Sequence, residues 1–410
     1  MSRTVLIIGC GVAGPVLAIL LKRKGYTPIV FEKVKELGDA GASLTLMPNG
    51  LKVLGLVDLA SQVLEATFPL TEFHDQTWNG ATLGVSHIPS TLLDKYSMPA
   101  AGVRRTALNL GLKQSLFDNA IELREGWKLE DIQEKEHGVI ATFAGRGTIE
   151  GTFIVGCDGI KATSRELLLR RGGEMEALPT YTGLTQTAGI SPTPSTIKGR
   201  PSLLNVYGIG AHFITYPVSH THSSWAITLP ETMEAQESWH LYNVEERDAL
   251  KSKLLLEFAN WSDPVPELIK SAERMVKFGL YDRDELTPEQ WHSGRCVLIG
   301  DAAHPTSPHL GQGANQALED CYHLATFLPK VSAKIPTLLK QDLAQIFQKF
   351  ALKRQPRTSK LVKGARAQGE RRVVTGGSAA CLERDEAVRK SWLEVDAVAA
   401  KYDNLFREPF

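Results

Sequence analysis

The chain opens on an almost unbroken apolar run, Val5 to Leu21, interrupted by Gly9, Gly11, Gly14 and Pro15 and closed by Lys22-Arg23-Lys24. Its length invites a membrane-span or signal-peptide reading. Three glycines and a proline near the middle suit a strand, a tight turn and a helix better than one continuous helix. The pattern therefore predicts a strand over residues 4–8, a helix over 15–24 ended by Gly25, and a strand over 28–31. Such a unit begins a parallel sheet buried on both faces.

Further along, apolar spacing predicts helices over 51–64 (Leu51, Leu54, Leu59, Val63), 106–119 (Leu108, Leu112, Leu116, Phe117), 245–259 (Leu250, Leu254, Phe258) and 313–328. Residues 68–97 are turn-rich and without a clear period. Residues 139–143 and 148–155 flank a Gly145–Gly147 turn and predict a hairpin feeding Cys157-Asp158-Gly159. From 179 to 230 helical spacing vanishes, and strand-like stretches at 203–207, 212–217 and 224–229 predict an antiparallel sheet in a second lobe. The apolar stretch 295–299 is a strand returning to the first sheet. Lys353, Arg354, Arg357, Lys360 and Lys363 mark a basic helix, read as a solvated face. The tail carries Val388, Trp392, Val395, Ala399, Tyr402 and Phe406 at helical spacing, read as packing on its own domain.

Composition narrows the function. Hydrophobic residues make up 43% and charged residues 22%, as in ordinary globular proteins, and 46 Lys+Arg balance 46 Asp+Glu. That balance gives no electrostatic reason to expect nucleic acid or an anionic membrane, so the expected substrate is a small molecule. Five cysteines without a C-x-x-C pair argue against a disulfide framework or a structural metal and suit a reducing compartment. A cytoplasmic monomer or homodimer without a membrane span is the expectation.

Three motifs carry chemistry. Gly9, Gly11, Ala13 and Gly14 form a turn between strand and helix, followed by Glu32 at the end of the next strand. The glycines let a pyrophosphate approach free N–H groups at the helix N-terminus, and the acid can accept ribose hydroxyls. By itself this motif does not choose between NAD and FAD, although Glu32 disfavours a 2′-phosphate. The second is Cys157-Asp158-Gly159 with Arg165. The third runs from Gly300-Asp301 through Pro305 and Pro308 to Gly311-Gln312-Gly313-Ala314-Asn315 and into a helix. An Asp at a strand end can bind a ribityl hydroxyl, and a glycine turn at a helix N-terminus suits the N1–C2=O edge of a reduced, anionic flavin.

On these blocks, with Gly41-Ala42-Ser43-Leu44, Pro48-Asn49-Gly50, Tyr281-Asp282-Arg283 and Trp291, the chain resembles the class A flavoprotein monooxygenases of the p-hydroxybenzoate and salicylate hydroxylase type. It is most similar to the salicylate hydroxylase-like and urate hydroxylase-like branches, and more distantly to the tetracycline-inactivating monooxygenases. The resemblance implies an α/β fold. A Rossmann-type FAD-binding domain with a parallel sheet would comprise 1–70, 100–178 and 280–375. A smaller substrate lobe with an antiparallel sheet would comprise 71–99 and 179–279, and a C-terminal helix 376–410.

The resemblance also implies roles. Glu32 and the adjoining Lys33 would serve the adenosine side, Ala42 would line the flavin, and Arg105 rather than its neighbour Arg104 would contact the cofactor. Asp158-Gly159 would serve FAD and, transiently, NADH or NADPH. Asp301 would hold the ribityl chain, and Gly311 to Asn315 would contact the ring system through backbone. The usual serine of the second motif is Ala162 here, and His212 stands where urate hydroxylase-like members carry an arginine, which disfavours urate.

The implied chemistry is reduction of FAD by NAD(P)H, addition of O2 at flavin C4a, and transfer of one oxygen atom from the hydroperoxide to an electron-rich carbon of a small aromatic or polycyclic metabolite. His212, Tyr216 and Trp225 are the candidate substrate contacts facing Pro305, with His212 the one residue considered for catalysis. Epoxidation or Baeyer-Villiger-type insertion is the alternative, and a non-catalytic FAD-binding protein a distant third. A flavin halogenase would show W-x-W-x-I-P, of which the stretch from Trp225 to Pro230 has one tryptophan. A second dinucleotide domain is disfavoured because Gly208-Ile209-Gly210 leads into strand-like sequence.

Overall fold

A computed structural model describes residues 3–36, 43–233, 242–331 and 338–410. Its first sheet has six strands in the order His292–Ser293, Cys296–Leu298, Phe153–Gly156, Thr4–Ile8, Thr27–Glu32 and Glu122–Glu125. All are parallel except the two-residue edge strand. Val5, Leu6, Ile7, Val30, Phe31, Val155 and Val297 are wholly buried, which explains why these strands read as continuous apolar runs. The first helix, Ala13–Arg23, begins two residues before the prediction, directly from the glycine turn. An antiparallel sheet of Leu129–Glu134, Val139–Phe143 and Gly147–Gly151 extends from this half.

The second half is built on a seven-stranded sheet in the order Arg274–Asp282, Thr180–Pro192, His222–Pro230, His212–Pro217, Ser202–Tyr207, Glu72–Thr77 and Thr82–Ser86. It is antiparallel apart from one pair, Ser202–Tyr207 with Glu72–Thr77, which runs parallel. The last two strands come from the stretch that shows no period in the sequence. Helices Val244–Glu257 and Val265–Lys270 cover one face, where Phe213, Trp225 and Ile227 pack with Leu254, Phe258 and Leu268. The other face looks toward the parallel-sheet half, with Tyr216 against Ser43. A two-stranded ribbon, Ser43–Leu46 with Ala101–Arg104, lies at the seam.

Three helix readings are corrected. The predicted 51–64 helix is two helices, Pro48–Gly55 and Ala60–Glu65, broken around Asp58, whose φ of 63° leaves the helical region. The predicted single C-terminal helix is also two, Gly377–Leu393 and Val395–Phe406, separated at Glu394. The basic helix is Lys340–Arg372, and its charges are not uniformly solvated. Lys353 and Lys363 are exposed, but Arg354 has no exposure at all. Among the described residues no helix is long and apolar enough to cross a membrane.

Candidate functional site

The carboxyl ends of the parallel strands converge on one crevice, where chain connections leave Thr4–Ile8 in opposite directions. Gly9 has φ +113°, and a Cβ there would run into the Cys157 carbonyl, so the turn requires glycine. A Cβ on Gly14 would strike the Gly9 carbonyl, which is why helix and strand can pack this closely. Around Gly11 there is no atom within 4 Å of where a Cβ would stand, so open space faces the helix N-terminus. Glu32 closes the turn: its Oε2 accepts the Cys10 N–H at 2.9 Å and its Oε1 the Val34 N–H at 3.1 Å. Both oxygens keep lone pairs for hydroxyl donors. Lys33 is exposed just beyond, and its charge reaches Asp158. Ala42 lies outside the described residues.

Asp158 stands at the neighbouring strand end, where its carboxylate accepts the N–H of Ser164 at 3.0 Å and also its hydroxyl. Burial pushes its carboxyl up from the ordinary value, opposed by those Ser164 bonds. Thus Ser164, two residues past the expected serine position at Ala162, anchors this turn. Arg165 is ion-paired, with Nε 2.7 Å from Glu176, and its NH2 donates to the Asp284 carbonyl at 2.9 Å.

Gly300-Asp301 leaves the Cys296–Leu298 strand, and Asp301 Oδ1 comes within 3.7 Å of where a Cβ on Gly313 would be. Burial raises the Asp301 carboxyl above its usual value, while His304 and Arg105 pull it down. Burial in turn lowers the Arg105 guanidinium, opposed by Asp301. Pro305 is buried and Pro308 exposed in the loop that leads to Gly311, whose φ of 61° is left-handed. Gly311, Gly313 and Ala314 are partly exposed at the start of helix Gly313–Phe327, whose first N–H groups have no intrahelical partner.

The Asn315 side chain is used internally: Nδ2 donates to the Thr45 and Gly311 carbonyls at 3.0 and 2.9 Å, and Oδ1 accepts the Met47 N–H at 2.9 Å. It ties the seam ribbon to the helix start. Gln312 Oε1 accepts from Asn49 and Gln316 at 3.1 and 3.2 Å. An open glycine turn, a strand-end acid on each side and a second helix N-terminus fit the pyrophosphate, ribose, ribityl chain and pyrimidine edge of FAD.

The expected substrate contacts separate. Tyr216 and Ile214 lie on the sheet face toward the seam and are partly exposed. Tyr216 OH is 2.8 Å from Ser43 Oγ, Ser43 Oγ donates to Ser224 Oγ at 2.5 Å, and Ser224 Oγ donates to the Gly189 carbonyl at 3.2 Å. Because a carbonyl can only accept and each serine has one proton, Tyr216 must donate to Ser43. Burial pushes its phenol up to about 12, so it stays neutral, and its remaining hydrogen-bonding capacity is as an acceptor.

His212 shares that face but has no exposure. Asn205 Nδ2 donates to Asp75 at 2.8 Å, which leaves Asn205 Oδ1 to accept from His212 Nε2 at 3.2 Å and from Arg372 at 3.1 Å. Burial, then the Arg372 charge, hold His212 well below its usual value. The expected Trp225 contact is corrected. Strand alternation puts Trp225 on the opposite face, stacked on Phe213 with centroids 5.9 Å apart and donating to Ser191 Oγ at 2.8 Å.

Sequence reasoning missed the layer beneath the cofactor loops. Asp320 Oδ2 accepts the Gly300 N–H at 2.8 Å and His304 Nε2 at 2.5 Å, and its Oδ1 accepts Arg354 Nε at 2.7 Å. Glu319 accepts from Arg354 at 2.6 Å, from both Nε and NH2 of Arg357 at 2.8 Å, and from Asn49 at 2.7 Å. The available signal was the acidic pair inside the apolar stretch Ala317-Leu318-Glu319-Asp320-Cys321.

A dinucleotide cradle completed by a second helix N-terminus, with a separate sheet facing it, defines a flavin-dependent oxidoreductase. The sequence pattern of the FAD binding domain family matches residues 2–335. The chain belongs to that family and is a class A FAD-dependent monooxygenase.

The 3-amino-4-hydroxybenzoate 2-monooxygenase of Streptomyces cremeus is 29% identical over 390 residues, covering 93% of this chain and 91% of the relative. The enzyme of the same name, PtnB3, of Streptomyces platensis is 32% identical over 329 residues, 78% of each chain. Klebsiella pneumoniae HpxO complexed with FAD and uric acid shares the fold with a TM-score of 0.80 at 22% identity, covering 94% of this chain and 92% of that one. A salicylate hydroxylase substrate complex does so at 0.77 and 22% identity, covering 100% and 96%.

Proposed function

We propose that the protein uses NAD(P)H and O2 to hydroxylate the ring of a small aromatic substrate that carries a phenolic hydroxyl. Gly9, Gly11, Ala13, Gly14 and Glu32 would hold the adenosine diphosphate. Arg105, Asp158, Asp301 and the backbone from Gly311 to Asn315 would hold the flavin side. Bound FAD supplies the redox chemistry, in which one oxygen atom of O2 reaches the substrate and the other leaves as water.

The observation that carries the reading is the one-way chain from Tyr216 through Ser43 and Ser224 to the Gly189 carbonyl. A group docked on the Tyr216 oxygen must donate a hydrogen bond, and a phenol does so. Leaning its proton toward Tyr216 gives the ring phenolate character, which favours attack by ring carbon on an electrophilic oxygen. An isolated alkene or ketone has no proton to give, so this chain favours hydroxylation over epoxidation or Baeyer-Villiger insertion. Relatives named for aminohydroxybenzoate and hydroxynicotinate oxidation support an aromatic, hydroxylated substrate.

The test is a screen of phenols against their methyl ethers for stimulated NAD(P)H oxidation by the yellow, purified protein, with products analysed after incubation in labelled O2. Hydroxylated phenols with one labelled oxygen are expected, and methyl ethers should stimulate poorly. Equal turnover of ethers and phenols would sink the Tyr216 argument, and a ring-expanded product would replace hydroxylation with insertion.

A further inference from the structure

Two carboxylates without any exposure, Glu319 and Asp320, lie one to two turns into the helix whose N-terminus closes the cofactor crevice. At 1.5 Å per residue they stand roughly 9 to 10 Å along the axis from Gly313. Two buried negative charges there would cancel the positive end of the helix and oppose any anion bound at that end. They are balanced by the long helix: Arg354, itself without exposure, bridges both acids, and Arg357 forks onto Glu319. The remaining donors are neutral backbone and amide groups, or His304 on Asp320. Arg354 also donates to the Gln316 carbonyl and to Gln316 Oε1, at 3.2 and 2.8 Å.

We propose that Arg354 is a positioning residue for the flavin, setting its reduction potential by neutralising the acidic pair beneath the two loops that face the ring. This rests on the reading that the pyrimidine edge of FAD lies at the N-terminus of helix Gly313–Phe327. Reduction places negative charge on that edge, so the field behind it enters the potential directly. The same side chain fixes geometry, because Asp320 holds the Gly300 N–H and the acidic pair's partner Gln316 holds Gln312. Burial works to raise both acids, but the arginines, His304 and Asn49 outweigh it and hold them below their ordinary values, so both carry charge.

Charge and geometry are separable by sign. In FAD-loaded protein, the midpoint potential is measured against reference dyes for wild type, Arg354→Met, Arg354→Lys and Glu319→Gln. Arg354→Met should lower the potential, Glu319→Gln should raise it, and Arg354→Lys should stay near wild type. Loss of the charged fork in Arg354→Met should also weaken FAD binding about tenfold or more.

A purely structural role would move Arg354→Met and Glu319→Gln in the same direction, which would overturn the proposal. If Arg354→Met does not fold, Glu319→Gln decides alone: no upward shift overturns it. Ala314→Asp, outside the network, separates the proposal from the reading beneath it. If Ala314→Asp lowers the potential while the network variants leave it unchanged, only the role of Arg354 falls. If all four variants are silent with FAD bound, the placement of the pyrimidine edge falls with it.

Discussion

Two buried polar clusters, one beneath the start of helix Gly313–Phe327 and one on the seam-facing side of the seven-stranded sheet, are built differently. Under the cofactor loops, Glu319 and Asp320 meet Arg354 and Arg357 directly, and every carboxylate oxygen has a donor. On the seam-facing side of the seven-stranded sheet, Asp75 accepts from neutral groups, Asn205 Nδ2 and Trp392 Nε1, each at 2.8 Å, while buried Arg372 binds Asn205 instead. The titrations follow: the first pair of acids lies below the ordinary range, whereas burial drives Asp75 above it and His212 far below its own. A directly paired cluster makes a rigid platform whose charge is fixed. In the second cluster the neutral donors and the more distant Arg372 do not offset burial, so the acid is raised.

The largest effect should come from breaking the platform. Arg354→Met leaves two acids buried against one remaining arginine, and a cost of about 3–5 kcal/mol is expected. Urea unfolding of the apoprotein measures it, and a loss under about 1 kcal/mol would erase the contrast between the clusters.

Next is Tyr216→Phe, which removes the acceptor and the donor to Ser43 while leaving the glycine turns and strand-end acids in place. A fall of about 100-fold in kcat/KM for a phenolic substrate is expected, with FAD affinity unchanged. Steady-state kinetics beside a flavin-fluorescence titration tests both halves.

The pH dependence should split by cluster. Because Glu319 and Asp320 are lowered from ordinary values of 4.5 and 3.8, they contribute stability above those values and lose it as pH falls through their folded ones. Asp75 is raised, so its contribution has the opposite sign and is gained as pH falls. Melting temperatures measured downward from neutral pH into the acid range should drop less in Glu319→Gln than in wild type. Asp75→Asn should steepen that drop slightly, and a parallel course for the two variants would contradict the assignment.

The smallest effect belongs to Trp225→Phe, on the helix-covered face. It deletes one buried hydrogen bond to Ser191 and should cost about 1 kcal/mol of stability. Substrate affinity should not change; a marked rise in KM would return Trp225 to the pocket.

By itself the sequence determined the nucleotide half. Glycines at Gly9, Gly14 and Gly311 answer to backbone constraints that any strand–turn–helix imposes, so spacing alone exposes them. Acids at strand ends, Glu32, Asp158 and Asp301, are likewise read from local context, and parallel buried strands announce themselves as apolar runs. Only the tertiary structure decided which face of a sheet a residue serves and which charges meet. A one-residue change of place along a strand reverses its side, so Tyr216 and Trp225 look equivalent along the chain and lie on opposite faces.

Ser43 and Tyr216 stand 173 residues apart, and no local pattern joins them with Ser224 into a chain. Arg354 reads as one charge among several on a basic helix until the fold lays that helix across Glu319 and Asp320. Burial then turns a solvated cation into the partner of two acids, because a charge without water must find its opposite.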